Sequence, residues 1–161
     1  MPEVDPRQLA ADYFRQAYES QMNGDYDQAL ELYTRSIEAY PTAEAYTFRG
    51  WTYSFLGKLD EAIEQCRQAI QVDPDFGNPY NDIGAYLIEK SEWKEAIPWL
   101  EKATVAPRYE ARCYPWFNLG RVHEHQRNWR RARECYRKAF EVNRKYGAAI
   151  AALRRLQAMW N

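Results

Sequence analysis

The sequence predicts an all-α fold, a solenoid of antiparallel helix pairs, and three observations carry that expectation. The stretches "GDYDQALELYTRSIEAYP" from Gly24 and "GKLDEAIEQCRQAIQVDP" from Gly57 share one skeleton, which returns in "SEWKEAIPWLEKATVAP" from Ser91 and "RNWRRARECYRKAFEVN" from Arg127. The matching alanines Ala29, Ala62, Ala96 and Ala132 follow one another at intervals of 33, 34 and 36 residues, a period that marks stacked repeats. Upstream of each copy lies a second segment whose large and small residues recur at spacings of three and four, which puts them on one face of a helix.

Taken in order, Asp5 before Pro6 reads as an N-cap and a first helical residue, so the first helix begins ahead of the repeat proper. The upstream segments "YFRQAYESQMNG", "YTFRGWTYSFLG", "YNDIGAYLIEKS" and "WFNLGRVHEHQR" open on Tyr13, Tyr46, Tyr80 and Trp116. Four residues later stand Ala17, Gly50, Gly84 and Gly120. A small residue at a helix crossing lets two axes approach closely, and a large side chain of the partner fills the space beside it. Each repeat is therefore a hairpin of two helices with turns at Gly24, Gly57, Ser91 and Arg127, and Pro41, Pro74 and Pro107 close three of the second helices. The fourth copy has Arg144 in the corresponding place, which leaves room for a longer helix. Pro98 falls inside the second helix of the third copy and should bend it. The last stretch, "GAAIAALRRLQAMWN", places Ile150, Leu153, Leu156 and Trp160 on one face with Arg154 and Arg155 off it, as a helix covering the final apolar surface requires.

The pattern W-x2-L-G-x2-Y, A-x3-F, P carried by these segments resembles the tetratricopeptide repeat. Its best match is "WFNLGRVH", with Trp116, Leu119 and Gly120 in place and His123 where the pattern has tyrosine; Ala29 with Tyr33, Ala96 with Leu100 and Ala132 with Tyr136 satisfy the downstream half. The resemblance implies a right-handed superhelix forming a single domain over 1–161, with repeats at about 10–42, 43–76, 77–110 and 113–146 and a capping helix at about 147–160. It also implies that first helices line the concave side of the solenoid.

Composition and chemistry point the same way. The 161 residues are 46% hydrophobic and 16% aromatic, too rich in core-formers for disorder. No run approaches the roughly 18 apolar residues of a membrane span, and the acidic N-terminus lacks the features of a signal peptide, so a cytoplasmic protein without membrane partners is expected. Cys66, Cys113 and Cys135 lack the spacing of a zinc site or disulfide framework. His123 and His125 are turned about 200° apart on a helix and share no metal face. With no phosphate loop, nucleophile elbow or metalloprotease motif either, the expectation is no catalysis, cofactor or metal.

Along the first helices, the residues left over from hairpin packing are the candidate groove. They are Phe14, Tyr18, Phe48, Trp51, Phe55, Asn81, Asp82, Phe117, Asn118 and Arg121, with Glu89 and His125 beside them. Aromatics dominate the N-terminal half; an aromatic stripe at helical spacing is the mark of a core as well as of a peptide-binding surface. Family members that grip acidic C-termini use a clamp of Lys and Asn, then Asn, then Lys and Arg. The matching positions here are Phe14 and Tyr18, Phe48, then Asn78 and Asp82, and a frame one copy along gives Thr47 and Trp51, Asp82, then Tyr114 and Asn118. No clamp is formed, and Asp82 favours a ligand bearing Lys or Arg.

Charge is split along the chain. Residues 1–106 hold nine Lys/Arg and nineteen Asp/Glu, a balance of −10, whereas residues 107–161 hold thirteen and four, a balance of +9. A solvated outer face accounts for this most simply, with i,i+4 pairs Arg130–Glu134 and Arg137–Glu141. Self-association from acidic front to basic back is the alternative, and nucleic-acid binding by the arginine-rich third ranks last because no nucleic-acid module accompanies it.

Overall fold

The computed structural model describes residues 3–160; the expected single domain reaches Met1, Pro2 and Asn161 at its ends, and these lie outside the described residues. Among the described residues nine α-helices follow one another: α1 Pro6–Met22, α2 Tyr26–Ala39, α3 Ala43–Phe55, α4 Leu59–Val72, α5 Asn78–Glu89, α6 Trp93–Val105, α7 Cys113–His125, α8 Trp129–Val142 and α9 Gly147–Ala158. The fold is an all-α solenoid of helix hairpins. Asp5 caps α1 by accepting from the backbone N–H of Arg7 at 3.0 Å, with Pro6 in the first turn.

Each hairpin turns through a residue in the left-handed region: Gly24 (φ 83°), Gly57 (φ 73°), Ser91 (φ 63°) and Arg127 (φ 59°). These are the four positions the repeat spacing marks. Pro41, Pro74 and Pro107 each stand two residues past the end of a second helix. At the fourth copy, α8 does not run longer: it has 14 residues, as α2 and α4 do. The stop comes from the extended backbone at Asn143, whose N–H still bonds to the carbonyl of Ala139, so no proline is needed there.

The small-residue rule holds at atomic detail. A Cβ built on Gly50 would lie 2.9 Å from the carbonyl oxygen of Ala62; on Gly84, 2.3 Å from Cδ2 of Leu100; on Gly120, 2.4 Å from Cε1 of Tyr136. Glycine is needed there for closeness of approach rather than for backbone freedom. Where the large partner is tyrosine, its hydroxyl finds an acceptor one turn beyond the small residue: Tyr33 donates to Oε1 of Gln21 at 2.7 Å and Tyr136 to Oε2 of Glu124 at 2.6 Å. Where the partner is Cys66 or Leu100, the residues one turn beyond the glycine are Ser54 and Ile88.

Consecutive helices pack on one another throughout, and the main core joins Ile63, Cys66, Ile83, Leu87, Leu100, Leu119 and Val122 across α4 to α7. The first helices also touch each other directly, α1 with α3, α3 with α5 and α5 with α7. Second helices are not drawn together to that extent, so first helices take the inner side of the curve. At the far end α9 buries Ala149, Ala152 and Leu156, with Leu153 packed beside them. Trp160 does not join this face: α9 ends before it, and the indole is 54% exposed with Arg133 over its ring.

The longer interval before the fourth copy appears as the loop 106–112. Its backbone zips to the preceding interrepeat loop, with the N–H of Gly77 bonding to the carbonyl of Arg108 and the N–H of Arg108 to the carbonyl of Asp75. The Arg108 guanidinium reaches Asp73 at 2.7 Å and Glu44 at 2.8 Å and lies over the Phe76 ring. On the outer surface Arg130 pairs with Glu134 at 3.4 Å, while Arg137 and Glu141 form no ion pair among the described residues.

Candidate peptide-binding groove

Aromatic side chains from α1 and α3 form a continuous row. Phe14 and Phe48 meet edge to face at 5.3 Å, Phe48 and Trp51 at 5.8 Å, and Trp51 tilts against Phe55 at 5.1 Å. Tyr18 approaches Phe48 from the side at 5.9 Å. Tyr26, from the start of α2, stacks on Phe55 at 5.3 Å with the rings nearly parallel. Phe48 sits at the centre because its neighbours on α1 and its own helix converge on it.

The row is graded in exposure. Phe14 and Phe48 are half-buried and both pack on Tyr33, so they belong partly to the core between the first two repeats. Trp51 is half-buried, while Tyr18 and Phe55 are 41% and 49% exposed. The expectation that these residues are all surplus to packing is thus corrected for Phe14 and Phe48.

A second correction concerns the polar residues. Asn118 donates to Oδ1 of Asn81 at 3.1 Å, and Arg121 donates to Oδ1 of Asn118 at 3.2 Å. Both asparagines are buried, so this row ties α5 to α7 instead of standing open. Phe117 is also turned to packing: it contacts Tyr136 and Tyr146, each at 5.3 Å, and closes the joint between α7 and the α8–α9 end. Phe14, Thr47, Asn81 and Phe117 share one repeat position, and in the first and third copies it meets the following first helix, through Phe48 and Asn118. His125 stacks on Trp93 of α6 at 4.1 Å.

Asp82 lies where the aromatic row meets the middle of the solenoid. A cavity of about 290 Å³ is lined by Phe48 and Trp51 from α3, Asn78 and Asp82 from α5, and Tyr109 and Tyr114 from beyond α6. Burial pushes the Asp82 carboxyl from the ordinary 3.8 up to about 7, and a hydrogen bond from Asn81 opposes the rise. Of the cavity's aromatic walls, Tyr109 escapes a reading by repeat register because it lies in the break after α6, whereas Tyr114 of α7 holds a register position named for the clamp but not for the candidate groove. The signal that could have found Tyr109 is the interval of 36, which announces extra residues between copies. Tyr26 is likewise missed, since it belongs to a second helix and register assigns those to the outside.

Buried His123 takes the packing position the pattern gives it, and burial lowers its pKa. The three cysteines are free and buried. Among the described residues no cluster of three or more His, Cys, Asp or Glu could hold a metal, and no helix is long and apolar enough to cross a membrane.

Family models described as Tetratricopeptide repeat match residues 8–43, 43–76 and 113–146. Among curated proteins, Protein SGT1 homolog of Oryza sativa subsp. japonica is 37% identical over 93 residues, covering 57% of this chain and 25% of that protein. Photosystem I assembly protein Ycf3 of Prochlorococcus marinus is 27% identical over 126 residues, 71% of this chain and 73% of that protein. The chain spans a quarter or less of the length of the first curated relatives it matches. Among solved structures, Pseudomonas aeruginosa pilF superposes with a TM-score of 0.89 at 21% identity, over 96% of this chain and 70% of that one. MamA superposes at 0.74 with 21% identity, over 92% and 81%. These likenesses establish the solenoid fold.

Proposed function

The chain belongs to the tetratricopeptide repeat family, and from that premise we propose that it is a non-catalytic protein-interaction module holding a partner peptide or helix in its concave groove. The observation that carries this reading is the aromatic row ending in Trp51 and Phe55, open beside the Asp82 cavity on the inner side of the first helices. Aromatic side chains that reach both a packed base and a free surface supply large contact area at small entropic cost, the usual character of an interface anchor. Asn81, Asn118 and Arg121 support the groove by fixing α5 against α7.

Trp51→Ala tests the reading against a peptide selected by display on the purified chain. Loss of a desolvated aromatic anchor commonly costs about 2 kcal/mol, so affinity should fall roughly thirtyfold while stability changes by about 1 kcal/mol. Phe48→Ala should do the reverse in emphasis, lowering stability by about 2 kcal/mol because its ring packs on Tyr33. Unchanged affinity in Trp51→Ala, with the thermal midpoint down by about ten degrees, would assign the row to the core and end the groove reading.

A second reading is favoured by the charge polarity between residues 1–106 and 107–161: copies of the chain associate end to end. Nucleic-acid binding ranks below it, since no motif of a nucleic-acid module accompanies the basic third.

A further inference from the structure

Among the described residues Asp82 is the only acid lining the concave cavity, and no lysine or arginine lines it. It takes part in none of the ion pairs among the described residues. Its companions are the aromatic Phe48, Trp51, Tyr109 and Tyr114 and the uncharged Thr47, Asn78, Asn81 and Ala111. Asp82 is half-buried, and a carboxylate partly withdrawn from water with no cation beside it is less favourable than one that is paired. Aromatic faces add a second attraction of the same sign, because their quadrupoles favour cations. Carboxylate and rings therefore specify one kind of guest.

We propose that this cavity is a specificity pocket for a single basic side chain, arginine or lysine, of the partner segment held in the groove. The inference rests on the groove reading and deepens it. The cationic head meets Asp82, its aliphatic stem lies against Phe48 and Trp51, and the rest of the segment continues along the row toward Phe55. Of the chain's own cations, Arg121 of α7 is turned to Asn118 and so leaves the carboxylate to the guest.

The raised carboxyl gives the pocket a pH signature. Below about 7 the acid is largely protonated and attracts a cation weakly; as pH rises through that value the carboxylate forms and binding strengthens. The other titratable groups facing it are Cys66 of α4, Tyr86 of its own helix, Tyr109 of the 106–112 loop and Tyr114 of α7, while α3 presents only Thr47, Phe48 and Trp51. Burial raises Cys66, Tyr86 and Tyr109 further above their ordinary values, so they do not compete in the neutral range.

The test is an NMR titration of the indole N–H signals of the whole chain with blocked Ala-Arg-Ala and Ala-Glu-Ala tripeptides. At about pH 8 the arginine peptide should shift the Trp51 signal and the glutamate peptide should not, and Asp82→Asn should weaken the arginine peptide by about tenfold or more. Binding should weaken by a similar factor at about pH 5.5 in the parent chain and stay level in the variant. Equal binding of the arginine peptide by Asp82→Asn, or equal binding of the glutamate peptide, overturns the proposal. Tetramethylammonium bound as tightly as the arginine peptide overturns it too, by making a free small cation the occupant. If display-selected peptides need Trp51 yet carry no basic residue and ignore Asp82→Asn, the pocket fails while the groove stands. If they ignore Trp51, the groove itself fails.

Discussion

A methyl group placed on Gly120 would stand 2.4 Å from the Tyr136 ring, and that ring cannot swing aside. Its hydroxyl is held by Glu124, which Arg155 of α9 holds in turn at 2.7 Å. Gly120→Ala should therefore lose about 1–3 kcal/mol to overpacking, against a gain of about 1 kcal/mol in helix propensity. Gly147→Ala meets nothing within 4 Å and should gain up to about 1 kcal/mol. Denaturant midpoints that move together in the two variants would refute the close-approach account. Asp82 carries a different signature. Its folded pKa of about 7 exceeds the ordinary 3.8, so the folded chain keeps a proton that the unfolded chain gives up. Relative to Asp82→Asn, stability is full below about pH 4 and is lost as pH rises through about 7. A thermal midpoint for Asp82→Asn that exceeds the parent at about pH 8 and equals it near pH 4 is the expected result. Much of this was legible from residue types: Gly50, Gly84 and Gly120 announce contact with Cys66, Leu100 and Tyr136. That the Tyr33 and Tyr136 hydroxyls bond to Gln21 and Glu124 was not read from the pattern and comes from the structure. The fate of Asn81 and Asn118 was not legible either, because whether two amides pair across helices depends on an interhelical distance that periodicity does not contain.

At the scale of elements, the four hairpin turns adopt the same left-handed residue with two different chemistries. Gly24 and Gly57 accept φ near 80° and 70° freely, whereas Ser91 and Arg127 hold it with a Cβ attached. A single non-glycine residue in that region costs about 1 kcal/mol or more. Ser91→Gly and Arg127→Gly should each raise stability by roughly 0.5–1 kcal/mol after the greater freedom of the unfolded chain is counted. Thermal melts of the two single variants and the double decide it; a loss in each would show that side-chain contacts at these turns outweigh the strain. Hairpins, turns and the α1 cap were all readable, because short-range spacing fixes them. The 106–112 loop was not. Its shape comes from pairing with residues 73–77 more than thirty positions earlier, and from Arg108 bridging Asp73 and Glu44. Those contacts carry Tyr109 to the wall of the Asp82 cavity, so the feature least visible in the pattern completes the candidate pocket.

Over the whole molecule, sequence order becomes spatial order, because each hairpin packs on the next along the solenoid. The −10 balance of residues 1–106 and the +9 balance of residues 107–161 are thereby separated along its length. The separation is only slightly relieved within the chain: Arg108 crosses to Asp73 and Glu44, but Arg131, Arg133, Arg137 and Arg154 are exposed and form no ion pair among the described residues. Two copies meeting acidic front to basic back bring opposite fields together, and the contact repeats without closing, as heterologous contacts do unless a rotation completes a ring. Exposed charges are screened beyond about 10 Å at 0.1 M salt, so such assembly must weaken as salt rises. Sedimentation is expected to show larger species at about 20 mM salt that dissolve to the single chain by about 500 mM. Changing Arg131, Arg133 and Arg137 to Glu should leave a monomer at both concentrations, without altering the concave groove. A parent chain that is monomeric throughout would remove the self-assembly reading. A salt-sensitive complex with nucleic acid of micromolar affinity, lost in the same variant with a log–log slope near 0.9 per phosphate contacted, would reassign the basic third to that partner.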